Sequence, residues 1–163
     1  MQPRRLRRFP RFHYTGPHRY SLTFSTFQRR PLFTTAELAD TVVEQILIVA
    51  AKCRFDVIAY CAMPDHVHVV AHGKTDSAEL PEFVHKAKQL SGYYGKRVAG
   101  KPIWQDRYFE RVLRETEDVR NVVAYVLRNP VRKQLVSDPR DYPYSGSGLG
   151  TLDDLVEYVR EFL

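Results

Sequence analysis

Between Phe55 and His72 two apolar runs flank Met63-Pro64-Asp65, and this hairpin signal restricts the fold more than any other segment. Proline fixes φ and Asp favours turns, so Phe55–Cys61 and His66–His72 read as paired antiparallel strands. Side chains alternate between the faces of a strand, with residues i and i+2 roughly 7 Å apart on one side. Val67 and Val69 therefore point to one face and His66 and His68 to the other. Two imidazoles converging from one strand form half of a metal site.

The flanking sequence supplies the rest of a sheet. Tyr20, Leu22, Phe24 and Thr26 alternate with polar residues, giving a strand over 19–27. Thr34-Thr35-Ala36-Glu37 offers a helix start, and Leu38, Val42, Val43, Ile46, Leu47 and Ala50 carry the helical spacing to about Cys53. A second helix spans Leu80 to about Val98, with Phe83, Ala87, Leu90 and Tyr94 on its apolar stripe. A strand from Arg107 to Arg114 follows, and Thr116 caps a third helix through Arg128, which Pro130 bends or ends. A turn-rich stretch from Asp141 precedes a last amphipathic helix from Asp153. The first six elements make an α+β fold of the ferredoxin-like βαββαβ plan with an antiparallel sheet, followed by a C-terminal helix and tail. Residues 1–18 read as a basic arm, 19–147 as the catalytic domain and 148–163 as a tail helix.

Charge is distributed unevenly. The net value is +6, yet Arg4, Arg5, Arg7, Arg8, Arg11, Arg19, Arg29 and Arg30 all precede the first acid, Glu37. A basic arm on a near-neutral body is a footprint of nucleic-acid binding, although a solvated tail has the same composition. No apolar stretch approaches the roughly 20 residues that span a bilayer; no membrane association is expected, and cytoplasm is the default location. Cys53 and Cys61 lack zinc-ligand spacing and read as buried thiols.

The remaining candidates lie on the third helix. Tyr125 and Asn129 are separated by four residues and share a helix face. Each has an ordinary explanation as a rim tyrosine or a residue before proline. Together with the histidines they suit metal-assisted attack of a phenol on a phosphodiester. Tyr93 and Tyr94 are rival nucleophiles without a ligand one turn on, so packing or base stacking fits them better. Trp104 is placed either for stacking on unpaired bases or in the core. Asp65 reads as a turn or cap residue pointing away from the histidines, and His72 as lying beyond the site.

Met63-Pro-Asp-His-Val-His68, Ile103-Trp-Gln-Asp-Arg-Tyr-Phe109 and Tyr125-Val-Leu-Arg-Asn-Pro-Val131 resemble the motifs of the single-tyrosine HUH transposases, particularly the REP-associated branch. Phe27-Gln-Arg-Arg-Pro-Leu-Phe33 and Tyr142-Pro-Tyr-Ser145 fit the same pattern, and the likeness runs through residues 19–147. The resemblance implies a site-specific single-stranded DNA endonuclease and strand transferase acting on hairpin-forming palindromic repeats through a 5′-phosphotyrosine. It assigns metal binding to His66, His68 and Asn129, nucleophilic attack to Tyr125, and Mg²⁺ or Mn²⁺ as the cofactor. Ligand softness alone would favour Mn²⁺ or Zn²⁺. DNA contacts are expected from Arg4, Arg5, Arg7, Arg8, Arg11, Trp104 and Arg107, on a monomer with a self-contained site, with a dimer that exchanges the tyrosine helix between subunits as the alternative. The alternatives are a domesticated hairpin-binding protein without turnover and a metallohydrolase in which water attacks.

Overall fold

The computed structural model describes residues 13–163. Five strands form one antiparallel sheet: β1 (Arg19–Thr26), β2 (Phe55–Met63), β3 (His66–Gly73), β4 (Trp104–Val112) and β5 (Ser145–Gly146). Their order across the sheet is β4-β1-β3-β2-β5. The four helices among the described residues are α1 (Ala36–Lys52), α2 (Leu80–Ala99), α3 (Val119–Arg132) and α4 (Leu152–Tyr158). The first six elements follow the expected βαββαβ plan.

Each face of the sheet has its own core. Tyr20, Leu22, Phe24, Val67 and Val69 pack against the buried sides of α1 and α2. On the other face Ala59, Cys61, Met63 and Val70 meet Val122, Val126 and Leu127 of α3, with Leu155 and Val156 of α4. The strand β2 serves both cores because its register shifts between Val57 and Ala59. The extra residue of a bulge reverses which parity faces which side, so Phe55 and Val57 enter the first core while Ala59 and Cys61 enter the second.

Several boundaries differ from the sequence reading. The side chain of Asp118, not Thr116, caps α3 by accepting from the Arg120 amide. Pro130 lies within α3, which continues to Arg132. A proline at that position leaves the carbonyl four residues back without its backbone donor. Asn129 compensates: its Nδ2 donates to the Tyr125 carbonyl at 3.1 Å and to the Val126 carbonyl at 3.4 Å.

The strand β4 begins at Trp104 because Thr26 pairs with that residue across a register shift. Tyr94 is exposed rather than buried; the inner stripe of α2 instead runs through Ser91 and Gly95. A Cβ on Gly95 would lie 2.9 Å from Ile103 and 3.0 Å from Val42, so glycine sets the close approach of α2 to α1. The pair Ser145–Gly146 adds to the edge of β2 as a strand too short for a periodic signal. A Thr151–Asp154 capping box starts α4. At the other end of the described chain, Gly16 donates its amide to Ala78 and Thr15 bridges Glu79.

Candidate active site

The two histidines enter the sheet directly after the Pro64–Asp65 turn. Parity places them on the α3 face, in line with Val70 and opposite to Val67 and Val69. The backbone carbonyl of Asp65 accepts from both the amide and the hydroxyl of Thr26, each at 3.0 Å, which fixes the turn against β1.

Each imidazole is oriented through its Nδ1. Asp65 Oδ1 lies 2.6 Å from His66 Nδ1, and because a carboxylate only accepts, that nitrogen carries the proton. Thr23, the β1 residue directly paired with His68, places its hydroxyl 3.1 Å from His68 Nδ1. The two Nε2 atoms then face each other at 3.0 Å with the rings almost perpendicular. Two nitrogens at right angles around an octahedral cation, each bonded at about 2.0–2.1 Å, stand about 2.8–3.0 Å apart. The donor set fits a shared divalent ion, with its other nitrogens held by a carboxylate and a hydroxyl as metal-binding histidines require.

Electrostatics favour the neutral, ligating form of both rings. Burial depresses the His68 pKa to about 4, helped by the adjacent His66 and by Arg29. Burial also lowers that of His66, against the opposing pull of Asp65. Arg29 completes this arrangement. Gln28 and Arg29 adopt left-handed backbone angles, φ 55° and 56°, and the Arg29 guanidinium reaches Ser25 Oγ at 3.0 Å and Asp65 Oδ2 at 3.0 Å.

The helix α3 packs across β2 and β3, and Lys133, just past its end, is close enough to act on His66. Tyr125 is 53% exposed, with the Arg132 guanidinium 4.9 Å from its ring centre. It lines a groove of about 310 Å³ with Asn121, Arg128, Arg132 and Phe162. Asn129 is buried, and with Nδ2 turned onto the helix carbonyls its Oδ1 is the atom left for a ligand. Among the described residues no three His, Cys, Asp or Glu side chains converge as a metal site. The structure thus unites His66 and His68 directly, whereas Tyr125 and Asn129 lie on α3, which packs on β2 and β3, and make no hydrogen bond, ion pair or ring contact with either imidazole.

The remaining candidates are dispersed. Arg4, Arg5, Arg7, Arg8 and Arg11 lie outside the described residues. Trp104 packs on Phe24 and Phe33 and donates its indole N–H to Ser91, on the face opposite the imidazoles. Arg107 is exposed beside the β4 irregularity. Tyr93 and Tyr94 are exposed on α2 and pack edge to face. His72 shares the face of the pair but lies in a separate groove with Asp56 and Asp154. The expectation that Asp65 points away from the histidines is corrected: a turn residue is free of strand parity, and its carboxylate folds back onto His66. Thr23 and Arg29 were not foreseen. Thr23 becomes visible only once strand register is known, and Arg29 only from its unusual backbone.

An antiparallel ferredoxin-like sheet with a His-Val-His pair under a tyrosine-bearing helix defines the HUH type of transposase fold. The profile of the family described as "Transposase IS200 like" matches residues 15–129, and the chain belongs to that family. A REP-associated tyrosine transposase of Escherichia coli K12 is 30% identical over 95 residues, covering 56% of this chain and 53% of the relative. A Haemophilus influenzae protein named as a candidate member of the same class is 30% identical over 106 residues, 56% of this chain and 58% of its own. The chain thus spans somewhat over half the length of these curated relatives. A solved REP-associated tyrosine transposase bound to a REP hairpin superposes with TM-score 0.68 at 25% identity, covering 85% of this chain and 81% of that one.

Proposed function

We propose that this chain is a single-strand-specific DNA endonuclease and strand transferase that cleaves beside hairpin-forming palindromic repeats. The observation that carries the reading is the facing Nε2 pair of His66 and His68, 3.0 Å apart, with both Nδ1 atoms already engaged. The family and the hairpin-bound structural relative support DNA hairpins as the substrate class.

Three ligands are assigned: His66, His68 and the Oδ1 of Asn129. A divalent cation such as Mg²⁺ or Mn²⁺, when bound there, polarises the phosphodiester as a Lewis acid. Tyr125 is the nucleophile. Its oxygen bonds to phosphorus as the bond from phosphorus to the 3′ oxygen breaks. The phenolic proton passes to solvent or a base, and the departing oxygen takes up a proton as a free 3′-OH. The product is a 5′-phosphotyrosine that retains the bond energy for a later transfer. Arg132, held over the Tyr125 ring, supplies a cation beside the developing negative charge. The basic segment through Arg4, Arg5, Arg7, Arg8 and Arg11 adds phosphate contacts.

The test is a denaturing gel of labelled hairpin DNA carrying single-stranded flanks from the coding locus, with Mn²⁺. The wild-type chain should form a covalent adduct and Tyr125→Phe none, although the variant still binds the DNA. An adduct that persists in Tyr125→Phe places the nucleophile elsewhere. Cleavage without any adduct supports attack by water, and binding without cleavage supports a hairpin-binding protein.

A further inference from the structure

The second core covers only part of its face of the sheet. On that face α3 lies over β2 and β3, while β1 and β4 present Ser21, Thr23, Phe109 and Arg111, with Arg107 at the adjoining irregular stretch of β4, all partly or fully exposed. Register fixes what stands beside what. Phe109 pairs with Thr23, and Thr23 pairs with His68. Directly paired residues share a face, so Phe109 is in the same cross-strand row as the imidazole, two strand spacings or about 10 Å away.

Phe109 is 44% exposed and, among the described residues, stands alone as a large apolar side chain on this shelf. Its surroundings are hydroxyls and guanidiniums. Arg111, two residues on, gives Nη1 to Glu117 at 2.8 Å and keeps its other donors. Arg107, two residues before, has no partner for its guanidinium among the described residues. A docked protein surface would call for a contiguous apolar patch, which this shelf lacks. A single open ring between arginines matches the alternation of base and phosphate in unpaired DNA.

We infer that Phe109 is a stacking platform for an unpaired base next to the scissile phosphate, with Arg107 and Arg111 taking the flanking phosphates. This rests on the proposed DNA-cleaving function and adds a substrate-binding residue to it. Trp104, the other aromatic of the same motif, is committed to the opposite face.

The experiment compares binding of a short oligodeoxythymidylate, an abasic oligomer of the same length and a blunt hairpin to the wild-type chain, Phe109→Ala and Phe109→Tyr. Stacking on one aromatic predicts that Phe109→Ala weakens oligodeoxythymidylate binding about five- to a hundredfold. Its affinity for the abasic oligomer and the blunt hairpin should be unchanged, and Phe109→Tyr should bind like wild type. Equal affinity of wild type and Phe109→Ala for oligodeoxythymidylate overturns the inference and leaves the DNA-cleaving function intact. An equal loss on all three probes also overturns it, since that is a structural effect. Unchanged DNA binding with an altered sedimentation coefficient would instead assign the ring to a contact between chains. A wild-type chain that binds none of the probes also overturns the inference, whereas the proposed function stands or falls on the covalent adduct with the flanked hairpin.

Discussion

Asp65→Asn isolates the charge that orients His66 from the turn that carries it. The carboxylate sits 2.6 Å from Nδ1 and fixes the proton there, leaving the Nε2 lone pair for the proposed metal. An amide keeps the shape but can present its N–H₂ to the same nitrogen, which favours the wrong tautomer. Removing such a partner typically costs 10–100-fold in metal affinity, about 1.4–2.7 kcal/mol. Stability should change little. The turn is held through the Asp65 backbone carbonyl, and the lost ion pair to Arg29 is solvent-exposed, 53% on the arginine side. Exposed pairs contribute about 0–1 kcal/mol, or at most a few degrees in Tm. Titration of Mn²⁺ by calorimetry, with a thermal melt of the same sample, reads both quantities. An unchanged Mn²⁺ affinity in Asp65→Asn, alongside lost binding in His66→Ala, would refute the orienting role.

Two further predictions concern stability. Asn129→Ala should cost about 1–3 kcal/mol in urea denaturation, because the Val126 carbonyl then has neither a proline N–H nor the amide donor. Adding Pro130→Ala supplies a backbone donor and should recover part of the loss. Burial pushes the Cys61 thiol from its ordinary 9.0 up to about 12. Its folded pKa lies above the unfolded one, so its contribution is full below about pH 9 and falls through the window to about pH 12. The slope is up to about 1.4 kcal/mol per pH unit. Cys61→Ala should flatten that alkaline slope in denaturation measured across pH.

Much of the fold was legible because it is written in periodicity. The alternation of Tyr20, Leu22 and Phe24 and the turn at Pro64–Asp65 mark β1 and the central hairpin without any tertiary information. What escaped depended on partners distant in sequence. The β2 bulge at Val57–Ala59 leaves an apolar run apolar, so the pattern does not reveal which core each residue serves. Pro130 looked like a helix end because sequence cannot show that the preceding amide will replace the missing donor. At the site, His66 and His68 follow from parity alone. Thr23 requires the pairing of β1 with β3, and Asp65 lies in a turn where parity gives no direction. Phe109 stood inside a motif, but its face is set by pairing with Thr23 across an irregular strand.

The hydroxyl of Thr23 against His68 has a consequence for how the protein is assembled. Thr23 and His68 are separated by α1 and β2, and they meet only when β1 and β3 pair in a single alignment. A slip of one residue would turn the hydroxyl to the opposite face. At the proposed metal site, an ion in solution would therefore find both oriented nitrogens only on a correctly threaded sheet. Metal uptake there would follow sheet pairing, and loading would report that the sheet has closed in the right register.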